Sequence, residues 1–342
     1  MQRILLGFFA LVTLSACQPE SRPNDSRPDV SHIDVDVQIR RFEQDLFALD
    51  TQAIATELKR LENEYPLFSQ IYFDRILQSR SAPEGHAEYV KGFITFPSVQ
   101  QLYDTTQVVF SNMETYQTQF DQAVRYFAYY FPEQPRPDVT TYLSEYSIGA
   151  FIYGDNQLAV GLDFFLGADY PYAQYNPNNP NFSSYLTRTF TPEHLVSKTL
   201  RPLVDDLVGQ PGGQRLIDMM VHNGKKAYLL ERLLPDIPDS IRWEMTASQL
   251  QWMKDNERQM WGFFLEEDLL YSAEWTKVRK YVDYSPNSPG MPPEAPGRTG
   301  NWLGYRIVQA YMDRHPDLTL PEMIALQDAQ HWLTESRYKP QR

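Results

Sequence analysis

Hydrophobic residues recur at helical spacing in several stretches of the chain, separated by polar positions that would face solvent. Residues 39–61 hold two such stretches and predict two helices, with Asp50-Thr51 as the cap of the second helix and Pro66 at its end. Residues 98–131 predict one or two further amphipathic helices. We interpret the apolar stripe of this segment as core: Phe120, Val124, Phe127 and Phe131.

The pattern changes after residue 137 to β-branched and aromatic residues. This predicts strands near 138–144, 148–153 and 157–163. The sequence GDN at 154–156 is typical of a tight turn, so we expect the last two strands to form a hairpin. The following segment, 169–185, is rich in proline, asparagine and tyrosine and predicts a loop that either contacts a partner or packs on the body.

Helical periodicity returns at Thr191-Pro192, where threonine as N-cap and proline at the first position predict a helix start. The remaining helices are expected within these segments: 195–209, 215–235, 246–272, 302–315 and 319–336. A loop with five prolines, 286–300, precedes the helix that contains Trp302. We therefore predict a mainly α (α+β) fold, a helical domain with a small β-hairpin or three-stranded sheet.

The first residues of the chain have the pattern of a lipoprotein signal. Arg3 precedes an apolar run, 4–14, that has the length of a signal-peptide core and is short for a transmembrane helix. The sequence LSAC at 14–17 then matches a bacterial lipobox, with a branched apolar residue, two small residues and the cysteine that receives the lipid. The alternatives are an ordinary secretory signal with a chance cysteine and a short membrane anchor.

This pattern divides the chain into three parts. Residues 1–16 are predicted to be a lipoprotein signal peptide, residues 17–31 the lipidated Cys17 with a flexible tether, and residues 32–342 a single globular domain. Several acyl chains, such as palmitate, on one cysteine give durable membrane anchoring. Because residue 18 is Gln and not Asp, we expect a cell-envelope protein, lipid-anchored in the outer membrane and facing the periplasm.

Composition limits the kinds of partner. The formal net charge of −13 argues against nucleic acid, whose phosphates would repel the chain. Cys17 is the single cysteine, which excludes an intramolecular disulfide and a cysteine-based zinc site. We expect no cofactor apart from the covalent lipid.

Motifs for catalysis are not found in the sequence. None of the six histidines pairs with another at i,i+4, and there is no HExxH, GxSxG, P-loop or GxGxxG. Acidic groups such as Asp205-Asp206 and 266–268 are interpreted as solvated helix faces. We predict no catalytic, cofactor-binding or metal-binding residue and no enzymatic activity.

Three residues are nevertheless candidates for ligand or partner contact. Asp163 interrupts an apolar strand, where a carboxylate needs a partner or a strand end. His194 follows Glu193 at a helix start. Arg298 lies among glycines directly before a helix, where it could bind a carboxylate or phosphate or pair with one of the acidic groups of the chain.

The order of several motifs resembles the gliding motility lipoprotein GldB family of Bacteroidetes. The motifs span nearly the whole chain after the signal: RF at 41–42, VGLDFFLG, RTFTPEHLV, NGKKAYLLERLLP, QLQWMKDNERQMWGFFLEEDLLYS, PGRTGNWLGYRIVQAYM and SRYKP at 336–340. The resemblance implies a membrane-anchored component required for gliding, with other gliding or envelope proteins as partners. That family has no established catalytic residues to carry over.

The order of hairpin and helices is also distantly similar to zincin-like metallopeptidases. Such enzymes carry HExxH on the first helix after the hairpin and a glutamate ligand on the second. Here the helix at 191–209 lacks the HExxH pair, and Asn223, before Gly224, is a poor zinc ligand. Asn223 therefore joins the candidate contacts, and the resemblance implies a degenerate zincin-like fold, a pseudo-peptidase.

Three functions follow from these observations. The first is a non-catalytic binding or scaffold protein of the gliding apparatus. The second is an envelope metallopeptidase or hydrolase with an unrecognised site. The third is a periplasmic ligand-binding lipoprotein that uses a cleft between the hairpin and the helix at 191–209.

Overall fold

The computed structural model describes residues 27–175 and 180–340. The predicted signal peptide and Cys17 lie outside these residues. The described end of the predicted tether, 27–31, packs on the body: Val30 is buried, and Arg27 Nη2 donates to the Pro235 carbonyl at 2.9 Å. The folded body therefore begins several residues earlier than the expected boundary at 32.

Six helices precede the central strands. They are α1 (Phe42–Phe47), α2 (Ile54–Glu64), α3 (Pro66–Ile71), α4 (His86–Thr95), α5 (Pro97–Val109) and α6 (Glu114–Tyr130), with a π-helical turn at Tyr72–Ile76 and a 3-10 turn at Ser79–Ser81. The helices predicted in 39–61 and 98–131 are thus present. The predicted cap of α2 is wrong, because Asp50 Oδ1 accepts from Gln52 N at 2.8 Å and α2 has no side-chain cap. Pro66 occupies the first turn of α3, directly after α2 ends.

A small mixed sheet follows in sequence. Its strands are β1 (Ile39–Arg41), β2 (Val139–Tyr142), β3 (Ala150–Tyr153) and β4 (Gln157–Gly161), in the order β1-β2-β4-β3. β3 and β4 form the predicted antiparallel hairpin, while β2 pairs in parallel with both β4 and β1. β1 was predicted as the start of a helix. Its three residues carry too little periodicity to show a strand that exists only through its pairing with β2.

The second half of the described chain is helical. Its helices are α7 (Tyr172–Tyr175), α8 (Ser184–Thr187), α9 (Leu195–Val208), α10 (Leu216–Leu233), α11 (Asp239–Trp243), α12 (Ala247–Asp255), α13 (Glu257–Glu266), α14 (Trp275–Val282), α15 (Thr299–Arg314), α16 (Leu320–Ala325) and α17 (Ala329–Ser336), with 3-10 turns at Leu162–Phe164, Pro180–Phe182 and Pro192–His194. The mainly α (α+β) prediction is confirmed. The sequence pattern missed α7, α8, α11 and α14, and the helix expected at 319–336 is divided into α16 and α17.

The sheet separates two hydrophobic clusters. Because side chains alternate along a strand, Leu158 and Val160 of β4 join the larger cluster with α6, α9, α10 and α15. Ala159, between them, faces the smaller cluster, which is built mainly from α1 to α4. The predicted apolar stripe of α6 lies in the larger cluster, so its interpretation as core is confirmed.

Helices α10 and α15 approach each other so closely that they require glycine at the crossing. A Cβ atom on Gly224 would lie 2.3 Å from the carbonyl carbon of Gly304, and one on Gly304 would lie 1.7 Å from the Met220 carbonyl oxygen. These distances are far below van der Waals contact. The crossing fixes the relative position of two helices that both carry residues of the site described next.

Candidate functional site

Helix α9 and the turn before it carry a row of polar side chains on the face near the C-terminal end of α11. Thr191 and Pro192 occupy the predicted N-cap and first-turn positions of a 3-10 turn that leads into α9. Thr191 makes no side-chain capping bond; its Oγ1 lies 2.8 Å from His194 Nδ1. Lys198 and Arg201 follow at spacings of four and three residues, which place them on the same face as His194.

This row meets Glu244, the residue after α11. Glu244 has a left-handed backbone conformation, with φ of 51°, and is only 2 % exposed. Arg201 Nε lies 3.0 Å and Lys198 Nζ 3.9 Å from Glu244 Oε1, and the Tyr284 hydroxyl donates to Oε2 at 2.8 Å. The carboxylate is therefore held by two cations and one hydroxyl.

The backbone of Glu244 is held from the opposite side. Its carbonyl oxygen accepts from Arg188 Nη2 at 2.9 Å and from Arg298 Nη2 at 3.3 Å. Arg298 Nη2 also donates to the Trp243 carbonyl at 2.7 Å. We name these interacting residues the Glu244 cluster: Arg188, Lys198, Arg201, Glu244, Tyr284 and Arg298.

Ionisation in the cluster favours a negative glutamate. Burial opposes the charge of Glu244, but Arg201, Lys198 and Arg298 outweigh it and lower the pKa of the carboxyl to about 2. Burial lowers the pKa of Lys198 to about 8, although Glu244 favours its charged form. Burial and the nearby Lys198 ammonium lower the pKa of His194 to about 4, so this imidazole is neutral at pH 7.

A pocket of about 350 Å³ opens beside the cluster, between α9, α10, α11 and the loop before α15. Its charged lining includes both signs: Arg201, Lys226, Arg242 and Arg298, with Asp205, Glu231 and Asp283. We name it the Arg298 pocket. It is not the cleft expected between the hairpin and α9, because α9 packs directly on β3 and β4.

The loop before α15 positions Arg298 in this pocket. Ser288 Oγ bonds the Pro296 carbonyl at 2.7 Å and Thr299 Oγ1 at 2.8 Å, which closes the loop on itself. A Cβ on Gly297 would lie 2.0 Å from the Ser285 carbonyl oxygen, so the chain passes too close for any other residue. Arg298 then takes the N-cap position of α15 with φ of 64°.

The structure brings three of the four candidate residues to one region. Arg298 and Asn223 line the Arg298 pocket, and His194 lies one helical turn before Lys198 of the cluster. Asn223 Nδ2 donates to Asn301 Oδ1 at 2.8 Å and to the Val282 carbonyl at 3.2 Å, so the amide joins α10 to α15 and α14.

Asp163, the fourth candidate, lies at a separate place with a structural task. It follows β4 in a 3-10 turn, fully buried, and its Oδ2 accepts from Tyr146 N at 2.6 Å and Ser144 Oγ at 3.2 Å. These bonds hold a turn in which Glu145 and Tyr146 both have positive φ. Asp163 therefore lies just past a strand end and has hydrogen-bond partners, the two conditions expected from the sequence for a carboxylate in this apolar stretch.

Replacing Asp163 by Asn should change how stability depends on pH. Burial raises the pKa of the Asp163 carboxyl to about 6, against 3.8 for an ordinary aspartate. The folded state thus binds more protons between these values, and wild-type stability falls as pH rises from about 4 to 6. The asparagine of the Asp163→Asn variant does not titrate. Relative to this variant, the free energy of unfolding of the wild type should therefore fall by up to about 3 kcal/mol between about pH 4 and 6.

Urea unfolding of both proteins at pH 4, 5, 6 and 7 measures this difference. Asp155→Asn removes a carboxylate from the exposed hairpin turn and controls for the change in net charge. Stability curves of wild type and Asp163→Asn that run parallel across the window would contradict the prediction.

The tyrosine-rich segment 169–185 packs on the body through two aromatic side chains, while several of its other described residues are exposed. Tyr172 and Phe182 are buried, and the Leu166 amide donates to the Tyr172 hydroxyl at 2.8 Å. The segment was expected either to contact a partner or to pack on the body, and Tyr172 and Phe182 pack on the body. Residues 176–179 lie outside the description.

Sequence reasoning missed most of the Glu244 cluster. Glu244 looks like one acidic residue before a helix, and the neighbours that make it unusual come from positions 40 or more residues away. The spacing of His194, Lys198 and Arg201 was a usable signal, because it places three basic side chains on one face of a mostly apolar helix. Asp205, interpreted as part of a solvated pair, bonds Lys226 at 2.9 Å at the pocket edge.

A metal site is not evident in the described part of the chain. Within 27–175 and 180–340, no three His, Cys, Asp or Glu side chains are grouped so that they could hold a metal ion.

Comparison with protein families gives two matches. A family model described as gliding motility protein GldB matches residues 23–340, and one described as the prokaryotic membrane lipoprotein lipid attachment site matches residues 1–18. No curated protein and no solved structure matches the chain, so the expected zincin-like fold stays a prediction.

Proposed function

The chain belongs to the family of the gliding motility protein GldB, and we propose that it serves gliding as a lipid-anchored, non-catalytic binding or scaffold protein of the cell envelope. The family match over residues 23–340 carries the link to gliding, since it covers nearly all of the chain that follows the lipid attachment site. Other proteins of the envelope or gliding machinery are the proposed partners.

Anchoring through Cys17 would hold the body near the membrane. Cys17 is the single cysteine and lies within the matched attachment site at 1–18. None of the helices in the described ranges has the length and hydrophobicity that crossing a bilayer requires. Because Arg27 already contacts the body, nine residues separate Cys17 from the fold, and the ten Cα–Cα steps between Cys17 and Arg27 span at most about 36 Å. Gln18 after the cysteine supports the outer membrane over the inner one.

The contacts of the candidate residues support the non-catalytic part of this proposal. His194 is bonded to Thr191, Asn223 bridges two helices, and Arg298 holds the backbone of Glu244. Lys198 lies one helical turn after His194, and an ammonium group does not ligate zinc while it is protonated. These side chains are engaged in fixing helices relative to one another.

Replacing Cys17 by Ser should release the protein from the membrane. Without the thiol no diacylglyceryl group can attach, so the variant should lose labelling by radioactive palmitate and fractionate away from membranes. Cells that carry only this variant should lose gliding. Ser21→Ala, a change in the segment that follows the attachment site, is the matched control and should keep both label and motility.

The anchor is disproved if Cys17→Ser retains the label and still sediments with membranes. Crosslinking in living cells, followed by identification of the attached proteins, then tests the scaffold role. Capture of gliding proteins by wild type but not by Cys17→Ser is the expected result.

The competing hypothesis is an envelope metallopeptidase or hydrolase. It predicts stoichiometric zinc in the purified protein and a peptidase activity that a chelator removes together with the metal. Finding both would overturn the non-catalytic role and leave the lipid anchor unaffected.

A further inference from the structure

The Glu244 cluster contains more positive than negative charge. Arg188, Lys198, Arg201 and Arg298 all contact Glu244, through either its carboxylate or its carbonyl oxygen. A carboxylate can neutralise only one unit of this charge. Burying unpaired charge is costly, so an arrangement of this kind gains free energy when an anion is supplied from outside.

The acidic residues of the pocket wall do not supply that anion. Asp205 is more than half exposed and pairs with Lys226, on the neighbouring helix. Glu231 accepts from the Tyr305 hydroxyl at 2.6 Å, and Asp283 Oδ1 accepts from the Tyr284 backbone amide at 2.8 Å. These carboxylates have partners of their own, whereas Arg201 and Arg298 line the pocket and share Glu244 as their acidic partner.

Arg298 itself has an unused donor. The residue is only 6 % exposed and lines the pocket, yet its Nε has no hydrogen-bond partner among the described residues. A buried N–H of this kind costs about 1–3 kcal/mol when it stays unpaired. This unpaired N–H adds to the cost of burying the Arg298 guanidinium, which borders the pocket.

The helix that follows adds to the preference for an anion. Arg298 is the N-cap of α15, a helix of 16 residues, and Asn301 of its first turn also lines the pocket. The N-terminal end of a helix carries partial positive charge and attracts carboxylate and phosphate groups. The N-terminus of α15, the buried Arg298 and Arg201 of the positively charged cluster thus all border the same cavity.

We propose that the Arg298 pocket binds a small molecule through an oxyanion, a carboxylate or a phosphate, held by Arg298 and Arg201. Planar guanidinium groups suit both oxyanions because their N–H donors match the spacing of two oxygens. A cavity of about 350 Å³ lies at the low end of small-molecule sites, which span about 300–1,000 Å³. The proposal rests on the binding role proposed above and names the ligand class of that site.

Titration of the full-length lipoprotein, purified in detergent, with sodium phosphate or sodium acetate tests the site. Calorimetry should show saturable binding that sodium chloride at equal ionic strength does not reproduce. Arg298→Gln should weaken binding by about tenfold or more, as expected for a charged hydrogen bond. Arg298→Lys keeps the charge without the planar donors, so its affinity for the anion should lie between those of the wild type and Arg298→Gln. Arg60→Gln changes an exposed arginine of α2 and should bind like wild type.

A second variant tests the pocket independently, in case the arginine substitutions prevent folding. Ala227 lines the pocket on α10, so Ala227→Phe should fill the cavity while leaving every charge in place. Circular dichroism and thermal unfolding verify that each variant is folded. Tighter binding of phosphate would assign phosphate esters, and tighter binding of acetate would assign carboxylates; either supports an oxyanion site.

The proposal is overturned if neither anion binds saturably, or if folded Ala227→Phe and Arg298→Gln bind both anions as wild type does. Such a failure concerns the pocket alone. Loss of membrane anchoring and gliding in Cys17→Ser would still be measured separately, so the two proposals can fail independently.

Discussion

Glu244→Gln should destabilise the fold by about 3–5 kcal/mol, the usual effect of removing one partner from a buried ion pair. The substitution keeps the shape of the side chain and one acceptor for Tyr284. It removes the negative charge that Arg201 and Lys198 approach at 3.0 and 3.9 Å. The cations then remain buried without a counter-charge. Urea unfolding at pH 7 of the purified chain that begins after Cys17 measures the change.

The same substitution at an exposed site provides the control. Glu274 pairs with Lys277 at 2.9 Å, but its side chain is 62 % exposed. Exposed pairs contribute about 0–1 kcal/mol, so Glu274→Gln should have little effect. Equal losses for the two variants would refute a special role for Glu244.

The pH dependence gives a second, independent measure of Glu244. Its pKa is about 2 in the fold, against 4.5 for an ordinary glutamate. A lowered pKa contributes stability that is complete above 4.5 and is lost as pH falls towards 2. The difference in free energy of unfolding between wild type and Glu244→Gln should therefore decrease by about 3 kcal/mol as the carboxylate is protonated. Asp163 has the opposite sign and a different pH range: the Glu244 contribution to stability changes below about pH 4.5, and that of Asp163 changes between about pH 4 and 6.

Much of the fold was predictable from local patterns. The apolar stripe of α6 and the turn residues at 154–156 report on structure within a few residues of themselves, and both predictions are confirmed. β1 was not predictable, because its three residues become a strand only when β2 lies beside them, 100 residues later in the chain. The division of the core into two clusters likewise depends on which helices cover each face of the sheet.

The site was less predictable than the fold, for a related reason. Arg298 could be selected because a helix start is visible in sequence, and the structure places it at the N-cap of α15. Its surroundings, an acidic partner or a cavity, depend on α9, α11 and the loop before α15. These elements come together only through tertiary packing. Glu244 contacts residues from both sides of its sequence position at long range, so no spacing rule identifies it.

The family motifs converge on this same place. Arg188 and Lys198 lie in and just after RTFTPEHLV, Glu231 lies in NGKKAYLLERLLP, and Arg298 lies in PGRTGNWLGYRIVQAYM. Three segments that are distant in sequence thus contribute residues to the cluster and its pocket, whereas Arg201, Glu244 and Tyr284 lie outside the motifs. The motifs that resemble the family thus meet at one site, whose shape depends on the packing of the surrounding helices.

That geometry depends on the α10–α15 crossing, so Gly224→Ala and Gly304→Ala should both strongly destabilise the protein. The added methyl group would meet backbone atoms at 2.3 Å in the first variant and 1.7 Å in the second. Overpacking usually costs about 1–3 kcal/mol when side chains can move aside. Backbone atoms of a helix cannot do so without moving the helix, and we expect losses of about 3 kcal/mol or more, larger for Gly304→Ala.

Gly262→Ala in α13 is the matched control. A Cβ there would meet no atom within 4 Å, so the change should stabilise the protein by about 0.5–1 kcal/mol through helix propensity alone. Urea unfolding of the three variants measures all of these effects. Because Asn223 and Asn301 join the two helices beside the crossing, separating them should also open the Arg298 pocket and weaken anion binding in any Gly224→Ala protein that folds. A Gly304→Ala variant as stable as Gly262→Ala would show that the helices do not cross as closely as described.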